Sequence, residues 1–171
     1  MKKKEMRRSS TALYLTRGAL IGAMYVALSH LCGTIGLASG PIQFRISEAL
    51  TVLPLIFPEA IVGLTVGCLI SNLTLGGVIW DIIFGTVATL IGALGTYLLR
   101  RTPKKLKWLG TLPPIISNSV IVPLVLIYAY GVSDGYLFLM LTVFIGEAAC
   151  AGVLGALLYY SLRAKLQLAR G

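Results

Sequence analysis

QFRISEALTVLPLIFP, Gln43 to Pro58, is the stretch on which the fold of this chain turns. A long uncharged run ends at Arg45, and Glu48 follows three residues later. Read as the start of a helix, this spacing puts Arg45 and Glu48 on one face, within reach of each other. After Glu48 the segment Ile46 to Phe57 is apolar but short, and Pro54 and Pro58 bracket its end. A further apolar run, Ala60 to Leu75, begins at once. Ile46 to Leu75 is therefore either one kinked helix or two helices folded back at Leu53–Pro58. The number of membrane crossings depends on which.

Working outward, the composition fixes the class. Of 171 residues 57% are hydrophobic and 12% charged, against about 25% charged in soluble proteins. With a mean hydropathy of +0.87, the chain reads as an all-α integral membrane protein. Gly18 to Phe44 is uncharged and holds one full span that starts near Ala12, about 20 residues being enough to cross the hydrocarbon core. Gly33, Gly36, Gly40 and Pro41 mark a loop after it. Ile79 to Leu99 is interrupted only by Asp81. Trp108 to Tyr130 carries Pro113, Pro114 and Pro123, which are expected to bend it. Tyr136 to Leu162 is broken by Glu147. The basic start, the apolar run and Ala38–Ser39–Gly40 imitate a cleavable signal peptide, but the run is long and further spans follow, so the first segment is read as retained.

Charge placement chooses between the two readings of Ile46–Leu75. The net charge of +9 is not spread over a surface, as nucleic-acid binding would want. Lys2, Lys3, Lys4, Arg7, Arg8 and Arg17 crowd one end; Arg100, Arg101, Lys104, Lys105 and Lys107 share a loop; Arg163, Lys165 and Arg170 close the chain. With two helices there are six spans, and all three clusters fall on one side, as the positive-inside rule prefers. With one helix, five positive charges land on the outer face. The expectation is a single six-helix transmembrane domain with spans near 12–33, 46–57, 58–76, 79–99, 109–131 and 135–162. Both termini are then cytoplasmic, the basic rim touches anionic lipid head groups, and Arg45 alone of the fifteen Lys and Arg residues faces outward.

Two polar groupings are candidate sites. Arg45, Glu48, Asn72 and Asp81 converge on the outer mouth, where ionisable groups within a membrane point to function; the competing reading is a self-satisfied set, with Arg45 bonded to Glu48 or Asp81. Deeper, Glu147 lies thirteen residues past Asp134, about 20 Å along a helix. Asn118 reaches a similar depth in the antiparallel fifth span. These two either bond to each other as structural glue or floor a pocket. Ala19, Ala23 and Ala27 form a smooth stripe widened by Gly18 and Gly22, which suits close helix contact within the protein or with a partner. His30 reads as a packing residue, and Trp80 and Tyr130 as interfacial anchors. Cys32, Cys68 and Cys150 show no metal or disulfide spacing. There is no Gly-Lys pair and so no Walker motif, which places any ATP-driven work on another polypeptide. No nucleophile and base are paired, so no catalytic residue, metal or cofactor is expected.

FRISEALTVLP, the following Pro58–Glu–Ala–Ile–Val–Gly–Leu helix, Asn72 with Gly76–Gly77, and WDIIFGTVATL closely resemble the QueT family. The likeness runs over most of the chain and is most specific from Arg45 to Thr89. Members of that family are assigned as substrate-binding S components of energy-coupling factor transporters for queuosine precursors. The resemblance implies a six-helix S-component fold that is not itself an enzyme. It implies partners too: a transmembrane T subunit, contacted by an Ala-x-x-x-Ala pattern that Ala19, Ala23 and Ala27 match, and two ATPase subunits. The implied ligands are queuine and 7-deazaguanines carrying cyano or aminomethyl groups. Their donor-rich edge suits the carboxylates of Glu48, Asp81 or Glu147. Asn72 and Asn118 can match ring donors and acceptors, and Phe44, Trp80 and Tyr128 are candidates for stacking. The alternatives are an S component for a vitamin or other heterocycle, and a stand-alone small transporter or intramembrane enzyme using Glu147 or Asp81.

Overall fold

The computed structural model describes residues 2–37 and 43–168, with side chains from Thr11 onward. Ala38–Ser39–Gly40 and Pro41, the side chains of Lys2, Lys3, Lys4, Arg7 and Arg8, and Arg170 lie outside the described residues.

Helix α1, Lys2–Thr34, has 33 residues and extends about 50 Å at 1.5 Å per residue. It ends in a turn through Gly36, whose φ of 75° is a conformation that glycine adopts without steric cost. The chain returns through Arg45, which is extended (φ −107°, ψ 93°), into a 310 helix over Ile46–Leu55. Ten residues is long for this conformation. Every residue from Ser47 to Leu55 is buried, and the narrow 310 cross-section threads between α1 and the helices that follow it. At about 2.0 Å per residue the segment covers about 20 Å, short of the ~30 Å hydrocarbon core. The Thr51 hydroxyl donates to the Glu48 carbonyl at 2.6 Å, supporting the tight winding. The run closes where Phe57 N–H reaches Leu53 O at 2.8 Å.

Helix α2, Ala60–Thr74, follows, so Ile46–Leu75 is two helices, as the charge pattern predicts. Helix α3 spans Ile79–Leu98. The basic loop is wound into two 310 turns, Leu99–Arg101 and Lys104–Thr111, where the buried Lys107 ammonium donates to the Arg100 carbonyl. Helix α4, Leu112–Tyr128, continues through Pro123; Pro113 and Pro114 sit in its first turn, where their missing N–H groups cost nothing. The last rod is α5, Tyr136–Glu147, a π-helical segment, Ala148–Leu154, and α6, Gly155–Leu168.

Four stretches are long and apolar enough to cross a membrane: Thr11–Thr34, Ile79–Arg101, Lys104–Tyr128 and Tyr136–Leu168. Ile46–Leu55 and Ala60–Thr74 are the two shorter apolar helices. No strand occurs among the described residues. Leu13, Val62, Phe138 and Leu157 are each more than half exposed, as lipid-facing side chains of a multi-pass membrane protein are. Tyr25, Leu50, Leu53, Leu64 and Cys68 pack the interior between α1, the 310 helix and α2.

Helices α1 and α2 meet backbone to backbone. A Cβ on Gly63 would stand 2.3 Å from Gly18 O, and one on Gly22 2.9 Å from Gly63 O. Gly18 and Gly22 therefore serve internal packing, because their missing Cβ atoms are what let α2 approach, and they also line the groove beside the alanines. Ala19, Ala23 and Ala27 remain exposed beside this seam. They line an apolar groove of about 620 Å³ with Val62 and Val66 of α2.

Candidate functional site

The buried polar groups assemble around the first turn of the 310 helix. Glu48 is 2% exposed. One of its carboxylate oxygens accepts a hydrogen bond from the Tyr25 hydroxyl of α1, and the other accepts from Asn118 Nδ2 of α4 at 3.4 Å. The same Asn118 nitrogen donates to Glu147 Oε1 at 3.0 Å. Glu147 is the last residue of α5, and the π segment begins directly after it. Such π turns widen the backbone ladder and are frequent at functional sites. Two carboxylates from distant parts of the chain thus share one amide. Asn118 and Glu147 do bond to each other, but the contact is also part of a larger cluster that includes Glu48.

Arg45 is the cation of the cluster. Because its backbone is extended and precedes the helix, its side chain does not share a helical face with Glu48, as a start of the helix at Arg45 would require. Among the described residues the ion pair within 4.0 Å is Arg17–Glu59 at 3.5 Å, so the guanidinium is not ion-paired to Glu48 or Asp81. It stands between two small cavities. One, of about 20 Å³, is lined by Gln43, Arg45, Asn118, Val122, Val143 and Glu147. The other, of about 30 Å³, is lined by Tyr25, Ser29, Arg45, Asn72 and Leu75. Each has room for about one water molecule.

Asn72 and Asp81 form a neighbouring pair. The Tyr130 hydroxyl donates to Asp81 Oδ2 at 2.9 Å, and Asn72 Nδ2 lies 3.4 Å from the Asp81 carbonyl. Asn72 and Arg45 line the same cavity, so Arg45 links the two groups. His30 joins α1 to α2: one ring nitrogen lies 2.9 Å from Val26 O and the other 3.1 Å from the Thr74 hydroxyl.

Two of the three aromatic candidates lie elsewhere. Trp80 is 55% exposed, stacks on Phe84 with ring centroids 6.0 Å apart, and with Tyr128 lines an apolar groove between α3 and α4. Phe44 is half-buried, with its N–H on Leu37 O at 2.8 Å. Sequence reasoning overlooked Tyr25 and Gln43, and took Tyr130 only as an anchor. For Tyr25 a signal existed: a tyrosine inside an apolar helix needs an acceptor for its hydroxyl when buried.

Fold and site together define a multi-pass, all-helical membrane protein with a carboxylate–amide–guanidinium cluster in its interior. The chain belongs to the QueT transporter family, whose profile matches residues 15–164. It is 36% identical over 109 residues to the queuosine precursor transporter QueT of Lactococcus lactis subsp. cremoris (strain MG1363), a match covering 63% of each chain. No solved structure matches it.

Proposed function

We propose that this protein is the substrate-binding S component of an energy-coupling factor importer, taking up a queuosine precursor, either queuine or a 7-deazaguanine. The observation that carries this reading is the buried cluster of Glu48, Asn118 and Glu147, with the half-buried Arg45 beside it, inside a lipid-facing bundle of this family. Burying ionisable groups is costly unless they find partners, and among the described residues the Arg45 guanidinium makes no ion pair within 4.0 Å. A flat heterocycle rich in donors and acceptors satisfies both signs of charge at once. Arg45 lines both of the small cavities, so a ligand that enters either one meets its guanidinium. Asn72 lines one of these cavities, and its side-chain amide lies 3.4 Å from the Asp81 carbonyl. Phe44, adjacent to Arg45, is the aromatic best placed in sequence to stack on a ligand there, whereas Trp80 and Tyr128 serve the lipid-facing surface.

The mechanism has ligand captured at the outer face and released inside, with both termini cytoplasmic. The exposed stripe of Ala19, Ala23 and Ala27 docks the T subunit, and two ATPase subunits supply the energy. The single-domain arrangement, with the two short helices Ile46–Leu55 and Ala60–Thr74 paired as one folded-back unit, suits a carrier that moves as a rigid body.

The test is a thermal-shift series on detergent-purified protein with queuine, its cyano- and aminomethyl-deazaguanine precursors, and a panel of vitamins. A ligand at 100 times its Kd stabilises the folded state by about 2.7 kcal/mol, which a melting curve resolves. Stabilisation by a vitamin alone refutes the queuosine assignment. Uptake in cells that lack every candidate ATPase subunit refutes the importer mechanism and favours a stand-alone carrier.

A further inference from the structure

The three carboxylates around Arg45 differ in how far the protein itself occupies them. Asp81 accepts from Tyr130. Glu48 is used on both oxygens, by Tyr25 and by Asn118. Glu147 is used on one only: Oε1 accepts from Asn118 at 3.0 Å, while Oε2 is buried and has no hydrogen-bond partner among the described residues. A buried acceptor without a donor is rare in folded proteins and calls for a cause. The glutamate is 7% exposed, and it lines the cavity that Arg45, Asn118 and Gln43 close. Its free oxygen therefore belongs to the one place in the cluster where a ligand can supply a donor.

We propose that Glu147 is the residue by which this protein selects its base. Its carboxylate accepts the ring N–H and the exocyclic amino group of a 2-amino-4-oxopyrimidine edge, and Arg45, across the same cavity, donates to the adjacent carbonyl oxygen. This rests on the deazaguanine reading given above. The match is one of donor count and direction. A carboxylate presents two oxygens with about four acceptor sites. Here Asn118 takes one site on Oε1, which leaves the other site on that oxygen and those on Oε2, enough to meet two parallel donors with one oxygen each. Glu48 is the positioning residue of the set: by sharing Asn118 with Glu147 it orients the amide, and Tyr25 holds Glu48 in turn. The reading also explains why an acidic pair is kept in the interior, since a ligand that offers only acceptors leaves Oε2 unsatisfied. Specificity then follows from the penalty on the wrong ligand, as it does wherever a site is built to bond a substrate N–H.

The experiment compares 7-deazaguanine with 7-deazahypoxanthine, which lacks the 2-amino group, by calorimetry on the full-length chain in detergent. The wild-type protein is expected to prefer 7-deazaguanine by about 10- to 100-fold, the range for one hydrogen bond to a charged group. In Glu147→Gln, whose amide turns a donor toward the ligand's donors, the preference falls to about threefold or less. In Glu147→Asp, which keeps the carboxylate, it stays above tenfold although both ligands bind more weakly. Ligand-free melting curves of each variant separate loss of selection from loss of fold. An unchanged ratio in Glu147→Gln overturns the proposal. So does a ratio that collapses in Asp81→Asn but not in Glu147→Gln, which transfers the selecting role to Asp81. If wild-type protein binds 7-deazaguanine but does not discriminate, only the role of Glu147 falls; if it binds neither base, the ligand reading falls with it.

Discussion

Replacing Tyr25 with phenylalanine removes one oxygen atom and tests the core of the site. Tyr25 is 1% exposed, and its Cβ packs against α2 at Gly67, where an added Cβ would lie 3.1 Å away. Phenylalanine keeps the ring and this packing, so the change isolates the hydroxyl. What is lost is the hydrogen bond to Glu48, leaving that carboxylate oxygen buried with Asn118 bonded only to its twin. A hydrogen bond to a charged group contributes about 1.5–3 kcal/mol. For a chain of this length 1 kcal/mol moves the melting temperature by about 2–4 °C, so Tyr25→Phe should melt about 3–12 °C lower. The protein carries its own reporter for the assay. Cys32, Cys68 and Cys150 are free thiols, each 3% exposed or less, and a thiol-reactive dye reads their release on unfolding. A double-mutant cycle with Glu48→Gln should give a coupling of about 0.5–3 kcal/mol, the range for residues in direct contact. A melting temperature within 1 °C of wild type, together with an absent coupling, refutes the assignment of Tyr25 as the support of Glu48.

Three further outcomes are expected. Gly63→Ala drives a Cβ to 2.3 Å from Gly18 O, so α1 and α2 must separate, at about 1–3 kcal/mol for overpacking; melting indistinguishable from wild type would show the seam to be looser than described. Ala23→Leu, on the exposed stripe, should change stability by no more than about 0.5 kcal/mol and preserve ligand binding, yet abolish co-purification with the T subunit proposed above; retained assembly would remove the stripe from the proposed docking surface. For orientation, single cysteines at the exposed positions Lys105 and Asp134, introduced as Lys105→Cys and Asp134→Cys, should react with an impermeant maleimide from inside and from outside respectively. The reverse labelling inverts the topology.

Much of the architecture could be read from the chain because lipid imposes simple rules. Six apolar helices, the reversal at Leu53–Pro58 and the meeting of Asn118 with Glu147 all follow from segment length, proline placement and antiparallel counting. What escaped was local winding. Arg45 and Glu48 are three residues apart, and an α-helix puts them together; the chain instead stays extended at Arg45 and winds as a 310 helix after it, because a slender element fits where α1, α3 and the last rod already crowd. That change turns Glu48 toward Asn118 and Glu147 and leaves Arg45 between cavities. The π segment after Glu147 was equally hidden, since Ala148–Leu154 has no composition that marks it. The two roles of small residues on α1 could not be separated either. Glycine and alanine look alike in a hydropathy plot, yet Gly18 and Gly22 meet the α2 backbone directly, while the alanines stay exposed along the groove.

Helix α1 therefore works like a camshaft with three differently shaped sides. The glycines bear on α2, Ala23 faces the outer groove, and Tyr25, about 200° around the axis from Ala23 at 3.6 residues per turn, holds Glu48. Ala23 and Tyr25 belong to one helical turn, so no layer of compressible side chains lies between them to absorb a displacement. The phenol reaches the carboxylate at the far end of its side chain, so its position there depends on the rotation of α1 about its own axis. The same turn of helix thus carries the hold on Glu48 on one side and the exposed alanines on the other.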